Sequence, residues 1–430
     1  MNELEQFLTK INAICRDHAA LSIESSREII NEINSFLYTT YPGIGEVNFF
    51  NTEYAYFSDF HKYWEKHHKE ILNIQIDRTN CEQVADTLHD VYLKTNGRVF
   101  SDLYDTGGLK DDEVCRVRFL TANQDFRGSR NFADLSKIYK NDPDVFTVDY
   151  IVDNPEDFLK KIRITDLSQT DKRIKYAKTI GQFLIERQQP SPYNLLAYYH
   201  NDVYALRQDM INCVGAGYGN KKTDMFIRDM IILGIWKKVV GFDKIDVASD
   251  VNTIKVALRT GIMTCEIPLI SSFLDIFCYQ YGYVDEMNAK AWRTVWEIWN
   301  QKYAEKIESP SLLDFFIYRI VGREFCKVNL FTYQCENGHT FYWNTRSKSV
   351  CPHCKKKAIV IDGGYMCDAQ DGSIVTERLL PQYQNCPFKE ICDKNNKKKL
   401  QPPKSISILG KTGWTSAYTE INCGGGGLMA

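Results

Sequence analysis

The chain has 430 residues, 44% of them hydrophobic and 25% charged, with a formal net charge of −2. That is ordinary globular usage over roughly two or three domains, and it excludes a disordered, collagenous or globally basic protein. Any nucleic-acid surface must be a local patch. Read along the chain, the N-terminus MNELEQFLTKINAICRDH is charged and helical in period, with no apolar signal-peptide core. No apolar run approaches ~18 residues, so no membrane span is expected and the expected compartment is the cytoplasm. Cys15, Cys81, Cys115, Cys213, Cys265 and Cys278 stand alone, as buried thiols do in a reducing compartment.

Residues 1–110 form an N-terminal extension with two helices and then a run, Phe36 to Trp64, holding eleven aromatics. Such density belongs to a core more often than to a base-stacking platform. Residues 111–330 show helical apolar periodicity broken at Asp-Pro, Asn-Pro and Gly, and are expected to be a helical core. After Cys326 short strand-like pieces alternate with cysteines, giving a Cys-rich segment over 331–395. Residues 396–430 run from a basic, proline-containing stretch to a glycine-rich tail. The expected fold is mainly α with a small C-terminal β domain.

Within the helical region, residues 214–230 read VGAGYGNKKTDMFIRDM between two helical stretches. Gly217 and Gly219 fall in the turn, where glycine accepts positive φ and lets another backbone approach. Amide N–H groups at the start of the next helix, from Asn220 on, offer a site for a phosphate, and Lys221 and Lys222 add charge. Helix packing with incidental glycines explains the same residues. Downstream, SDVNTIKVALRTG places Asp250 before an amphipathic helix with Ile254, Val256, Ala257 and Leu258 available to pack. An ordinary N-cap accounts for Asp250 alone.

Together these segments resemble the helix-hairpin-helix DNA glycosylases, the superfamily of endonuclease III. The family hairpin L-P-G-V-G-x-K-T-A is matched by Gly217-Tyr218-Gly219-Asn220-Lys221, and its V-D-T-H-x-x-R-V segment by Asp250 to Val256, with Asn for His and Lys for Arg. FLTANQD, residues 119–125, resembles the family's L-L-S-x-Q-x-x-D segment. The interval from Lys221 to Asp250 is longer than in endonuclease III, so Lys222 is an alternative to Lys221. The resemblance implies DNA as partner, double-stranded and carrying a modified base. Asn123 and Gln124 would fill the gap left by the extruded base, with Arg127 and Arg130 on phosphates. FLTANQDFRGSRNF and DKRIKYAKTIGQFL are similar to a divergent branch associated with hypermodified phage DNA.

The implied chemistry suits these residue types. A base must leave the stack to be reached, and charge building on the sugar as the glycosidic bond breaks is stabilised by a nearby carboxylate, the role of Asp250. A desolvated lysine, Lys221 or Lys222, could attack C1′ and form a Schiff base. The expected activity is excision of a bulky base, for example a glucosylated hydroxymethylcytosine, as defence against phage. The alternatives are a transferase acting on 5-hydroxymethylpyrimidines in DNA and a non-catalytic DNA-binding module.

The tail adds a metal site. In CENGHTFYWNTRSKSVCPHC, Cys335 and His339 form one knuckle and Cys351 and Cys354 a second, eleven residues on. Four such ligands fill a structural tetrahedral Zn²⁺ and leave no open position for catalysis. His353 is the weaker candidate. Cys367, Cys386 and Cys392 remain. Their NCPFKEIC spacing resembles the end of a glycosylase iron–sulfur loop without its full pattern, and a second zinc or a ligand from Cys423 is the alternative.

Overall fold

In the computed structural model the described residues are 6, 9–10, 13–14, 21–35, 45–49, 56–100, 105–125, 131–164, 169–267, 281–325, 330–343, 350–351, 353–364, 386–395 and 406–410. They are mainly helical. In chain order the helices are α1 (Ile23–Ser35), α2 (Tyr56–Leu72), α3 (Arg78–Thr95), α4 (Asp111–Ala122), α5 (Phe132–Asn141), α6 (Val148–Asp153) and α7 (Pro155–Lys161). There follow α8 (Thr170–Glu186), α9 (Leu195–Tyr198), α10 (Val203–Asn212), α11 (Asn220–Ile232), α12 (Val251–Thr260), α13 (Tyr281–Lys302) and α14 (Lys389–Asn395). A π-helix spans Phe316–Phe325. The strands are β1 (Gly45–Phe49), β2 (Gln75–Ile76), β3 (Met263–Thr264), β4 (Leu330–Cys335), β5 (Thr340–Trp343), β6 (Ala358–Gly364) and β7 (Ile406–Gly410).

Two compact units divide the chain. Of the described residues, the hairpin unit comprises those within 96–249 and 302–316, and the ribbon unit those within 1–95, 250–301 and 317–410. The expected single core over 111–330 is therefore split at Asp250, and the N-terminal extension groups with the later segments. Residues 36–44 and 50–55 of the aromatic run lie outside the described residues, and Trp64, at its end, is buried.

The hairpin unit has one apolar core, in which Phe119, Phe146, Phe158, Phe183, Phe226 and Trp236 are buried together. Its helix ends carry local signals. Asp111, Asp112 and Glu113 open α4, where acidic groups suit the helix dipole, and the Glu113 carboxylate accepts from the Lys110 backbone N–H at 2.7 Å. Asp202 caps α10, accepting from the N–H groups of Tyr204 and Ala205 at 2.9 and 3.0 Å.

In the ribbon unit, α12 packs against α14 and β3, and β2 pairs with β3 antiparallel. Ile254, Val256 and Ala257 of α12 are buried as expected, but so are Thr253, Lys255, Arg259 and Thr260. The helix is buried on its polar side as well as its apolar one. β4 lies between β5 and β6 in an antiparallel three-stranded sheet, and β1 pairs with β7 in parallel. Cys81 and Cys115 are buried free thiols and Cys213 and Cys265 half-buried ones, while Cys15 and Cys278 lie outside the described residues. No helix among the described residues is long and apolar enough to cross a membrane.

Candidate nucleic-acid and metal sites

Helices α10 and α11 pack against each other and are joined by residues 213–219, so the glycine-rich stretch is a turn between two helices. Their arms are cross-linked by Arg207 on α10, whose Nε and Nη2 donate to the two oxygens of the Asp224 carboxylate of α11, Nη2 also donating to Asn220 Oδ1 at 3.3 Å. Burial pushes the Asp224 carboxyl up to about 6, against the pull of Arg207. Further along α11, Asp229 accepts from Arg118 of α4 at 3.0 Å and from Arg228 at 2.8 Å, and Arg228 also pairs with Asp314. A buried charge network of this kind is costly to break, because each lost partner strands a charge.

The turn itself is braced from below by Tyr218. Its ring stacks on Phe119 with centroids 5.6 Å apart, and its hydroxyl donates to the Phe119 carbonyl. Gly217 has φ +75°, and a Cβ there would sit 2.4 Å from the Tyr176 ring. Gly219 caps α11 without a side chain, and a Cβ there would meet nothing within 4 Å. Gly217→Ala should therefore cost at least roughly 1 kcal/mol of stability, while Gly219→Ala should be near neutral. Urea unfolding of the two variants beside the parent checks this; equal stability of both would remove the strain argument.

Asn123 and Gln124 do not reach solvent. Both are buried. The Asn123 amide donates to the carbonyls of Tyr176 and Ala216 at 3.1 and 3.0 Å, and the Gln124 amide to that of Arg173 at 3.1 Å. The buried Arg173 guanidinium returns a bond to the Gln124 carbonyl at 2.7 Å. In this structure these side chains tie the end of α4 to α8 and to the turn after α10. Arg127 and Arg130 lie outside the described residues.

The two lysines separate. Lys221 is exposed. Lys222 turns inward, its Nζ 3.0 Å from the Asn123 carbonyl and 5.9 Å from the centre of the Tyr176 ring. Burial lowers its amine to about 8, opposed by Asp125 and aided by Lys221, Lys172 and Arg173. Lys172 also sits over the Tyr176 ring, 5.6 Å from its centre, and the Lys175 stem runs beside Gly215. Turn, α8 and α11 thus gather five basic groups in a chain of net negative charge.

Asp250 belongs to the ribbon unit and is buried. It is the N-cap of α12: Oδ1 accepts from the N–H groups of Asn252 and Thr253 at 2.8 and 2.9 Å, and Oδ2 from the Asn252 amide at 3.1 Å. The Thr253 hydroxyl accepts from the Asp250 N–H at 2.9 Å, completing a capping box. Asn288 and Trp292 of α13 donate to Thr253 in turn, at 3.1 and 3.4 Å.

Cys335, His339, Cys351 and Cys354 converge on one point of the ribbon, their ligand atoms all within 4.8 Å of one another. Cys335 Sγ lies 3.5 Å from His339 Nδ1 and 3.6 Å from Cys354 Sγ, and Cys351 Sγ lies 3.9 Å from His339 Nδ1. Zinc bond lengths put the edges of a tetrahedral site at about 3.8 Å for two sulfurs and about 3.6 Å for sulfur and nitrogen. The group fits a zinc-sized ion. Each knuckle is closed by backbone bonds, Gly338 N–H to Cys335 O at 2.8 Å and Lys355 N–H to Cys351 O at 3.0 Å. Burial pushes the Cys351 thiol up, but the N–H groups of Cys354 and His353 and the thiols of Cys354 and Cys335 outweigh it and hold it down to about 7. His353 is outside the group. Among the described residues no second group of this kind includes Cys386 or Cys392, and Cys367 and Cys423 lie outside them.

No family model matches the sequence, and no curated protein matches it.

Proposed function

We propose that the chain is a DNA N-glycosylase of helix-hairpin-helix type, which flips out a bulky modified base, excises it and leaves an abasic site, acting in defence against phage with modified DNA. The observation that carries this reading is the α10–α11 hairpin, with its positive-φ Gly217, its glycine-capped helix start and its surrounding lysines. Backbone amides at such a helix start, beside Lys221 and Lys175, suit a DNA phosphate. Asp250 would supply the carboxylate facing the sugar, and the Cys/His group would hold a structural zinc. Single-turnover assays for released base and for abasic sites, on duplexes with and without glucosylated hydroxymethylcytosine, test the proposal. Release of the base supports it. An altered but retained base would make the protein a transferase on 5-hydroxymethylpyrimidines instead.

A second reading, a non-catalytic DNA-binding module, draws on the Asp250 carboxylate, both of whose oxygens are engaged within α12. Retention of DNA with neither base release nor altered base mass would favour it.

On either reading the lysines should divide as their exposure does. Lys221→Ala is expected to lower the slope of log affinity against log salt by about one, the signature of one lost phosphate contact. Lys222→Ala should leave that slope nearly unchanged and lower the melting temperature, because its amine holds the Asn123 carbonyl. Salt titrations of DNA binding with paired thermal melts distinguish them, and a slope change in Lys222→Ala alone would reverse the assignment.

A further inference from the structure

Asp250 is held by more than its own helix. Its Oδ2 accepts from Asn252 Nδ2 at 3.1 Å; Asn252 Oδ1 accepts from Lys255 Nζ at 3.3 Å; and Lys255 Nζ donates to the Gly322 carbonyl at 2.8 Å. Lys255 is buried, which is costly for an ammonium unless fixed acceptors replace its water. Gly322 lies in the π-helix, and a Cβ there would come within 2.7 Å of Asn252 Cβ, so only glycine lets this backbone reach the start of α12. The π-helix carbonyl, the ammonium, the amide and the carboxylate form one chain of hydrogen bonds within the ribbon unit. An N-cap alone needs only the backbone N–H groups of Asn252 and Thr253, which Oδ1 already engages. The side-chain chain acts on the other oxygen, Oδ2.

We propose that Asn252 and Lys255 are positioning residues for the Asp250 carboxylate, fixing Oδ2 in one orientation and placing a positive charge one amide away. The inference rests on the glycosylase reading, in which that carboxylate faces the developing charge on the sugar. A preorganised carboxylate stabilises that charge without first reorienting. Nothing is transferred along the chain: Lys255 and Asn252 act only through Asp250. Misplacement of such a group costs up to about 10²-fold in rate.

The test is a double-mutant cycle on single-turnover base release, with DNA affinity measured alongside. Lys255→Met keeps the apolar stem and removes the charge. It should slow release by roughly 10- to 100-fold with DNA affinity unchanged, and Lys255→Arg should recover most of the rate. In the Asp250→Asn background Lys255→Met should cause no further loss, because a residue acting through Asp250 has nothing left to act on. A substrate-free readout accompanies this: the Asn252 side-chain amide protons should be protected from exchange in the parent and in Lys255→Arg, and exposed to it in Lys255→Met. Full release rate in Lys255→Met, or losses that add to those of Asp250→Asn, would overturn the positioning role while leaving the glycosylase reading intact. Full release by Asp250→Asn would likewise overturn the positioning role alone, whereas no release by the parent protein would overturn both.

Discussion

Asp250→Asn is expected to lower single-turnover base release by roughly 10²–10³-fold, the usual loss when one focused electrostatic contact to a transition state is removed. The fold should survive the change. Asn is as good an N-cap as Asp, and its amide oxygen can still accept from the N–H groups of Asn252 and Thr253, which Oδ1 meets at 2.8 and 2.9 Å. What disappears is the negative charge and the bond from Asn252 Nδ2, worth about 1 kcal/mol. Asp250→Ala differs: it removes the cap as well, and should cost about 1 kcal/mol of stability from that source beyond its loss of activity. Melting curves and release rates for the two variants separate these contributions. If Asp250→Asn keeps the parent rate, Asp250 is a helix cap and no more. Asp246 then becomes the carboxylate to change, since it lies near enough to Arg207 and Asp224 to act on both charges.

The parts of this arrangement that were legible in the sequence are those set by near neighbours in the chain. An aspartate standing just before an apolar-periodic helix gives the N-cap at Asp250, and glycines between two periodic stretches give the hairpin turn. The two cysteine knuckles follow from ligand spacing. What was not legible depends on partners far along the chain. Asn123 and Gln124 are polar and follow a helix, which fits a surface role equally well; only the carbonyls of Tyr176, Ala216 and Arg173 show them to be struts. Successive helical residues point about 100° apart, so one lysine of the Lys221–Lys222 pair had to face inward, but the motif match favoured the other one. Tyr218 was passed over between its glycines, although an aromatic inside a polar turn is a signal for an anchor. Lys255 left a trace too, standing in an apolar helix as a charge with no nearby acid in the sequence. Its acceptor at Gly322 is 67 residues on.

Loss of the metal should unfold the ribbon and leave the helices standing. Among the described side chains the apolar core there holds Tyr333 and Ala358 beside Cys335 and Cys351, with Cys354 and Val360 against them. Ile359 and Ile361 of β6 are 62% and 51% exposed, so the strand's larger apolar groups add little to that core. Burying one large side chain contributes about 1.5–3 kcal/mol, whereas structural zinc contributes about 10–16 kcal/mol in small peptides. With zinc in the group the metal term would dominate, and metal binding would be coupled to folding of the β4–β6 sheet. Purified protein should therefore carry at least one zinc by elemental analysis. Cys351→Ser combined with Cys354→Ser removes half of the ligand set; it should release the metal and make the ribbon susceptible to protease, while far-ultraviolet circular dichroism keeps its helical signal. His353→Ala should keep the zinc, because its ring stands outside the converging group, whereas His339→Ala should weaken binding. Zinc retained in the double cysteine variant, or iron with visible absorbance in its place, would show that the ligands have been misassigned.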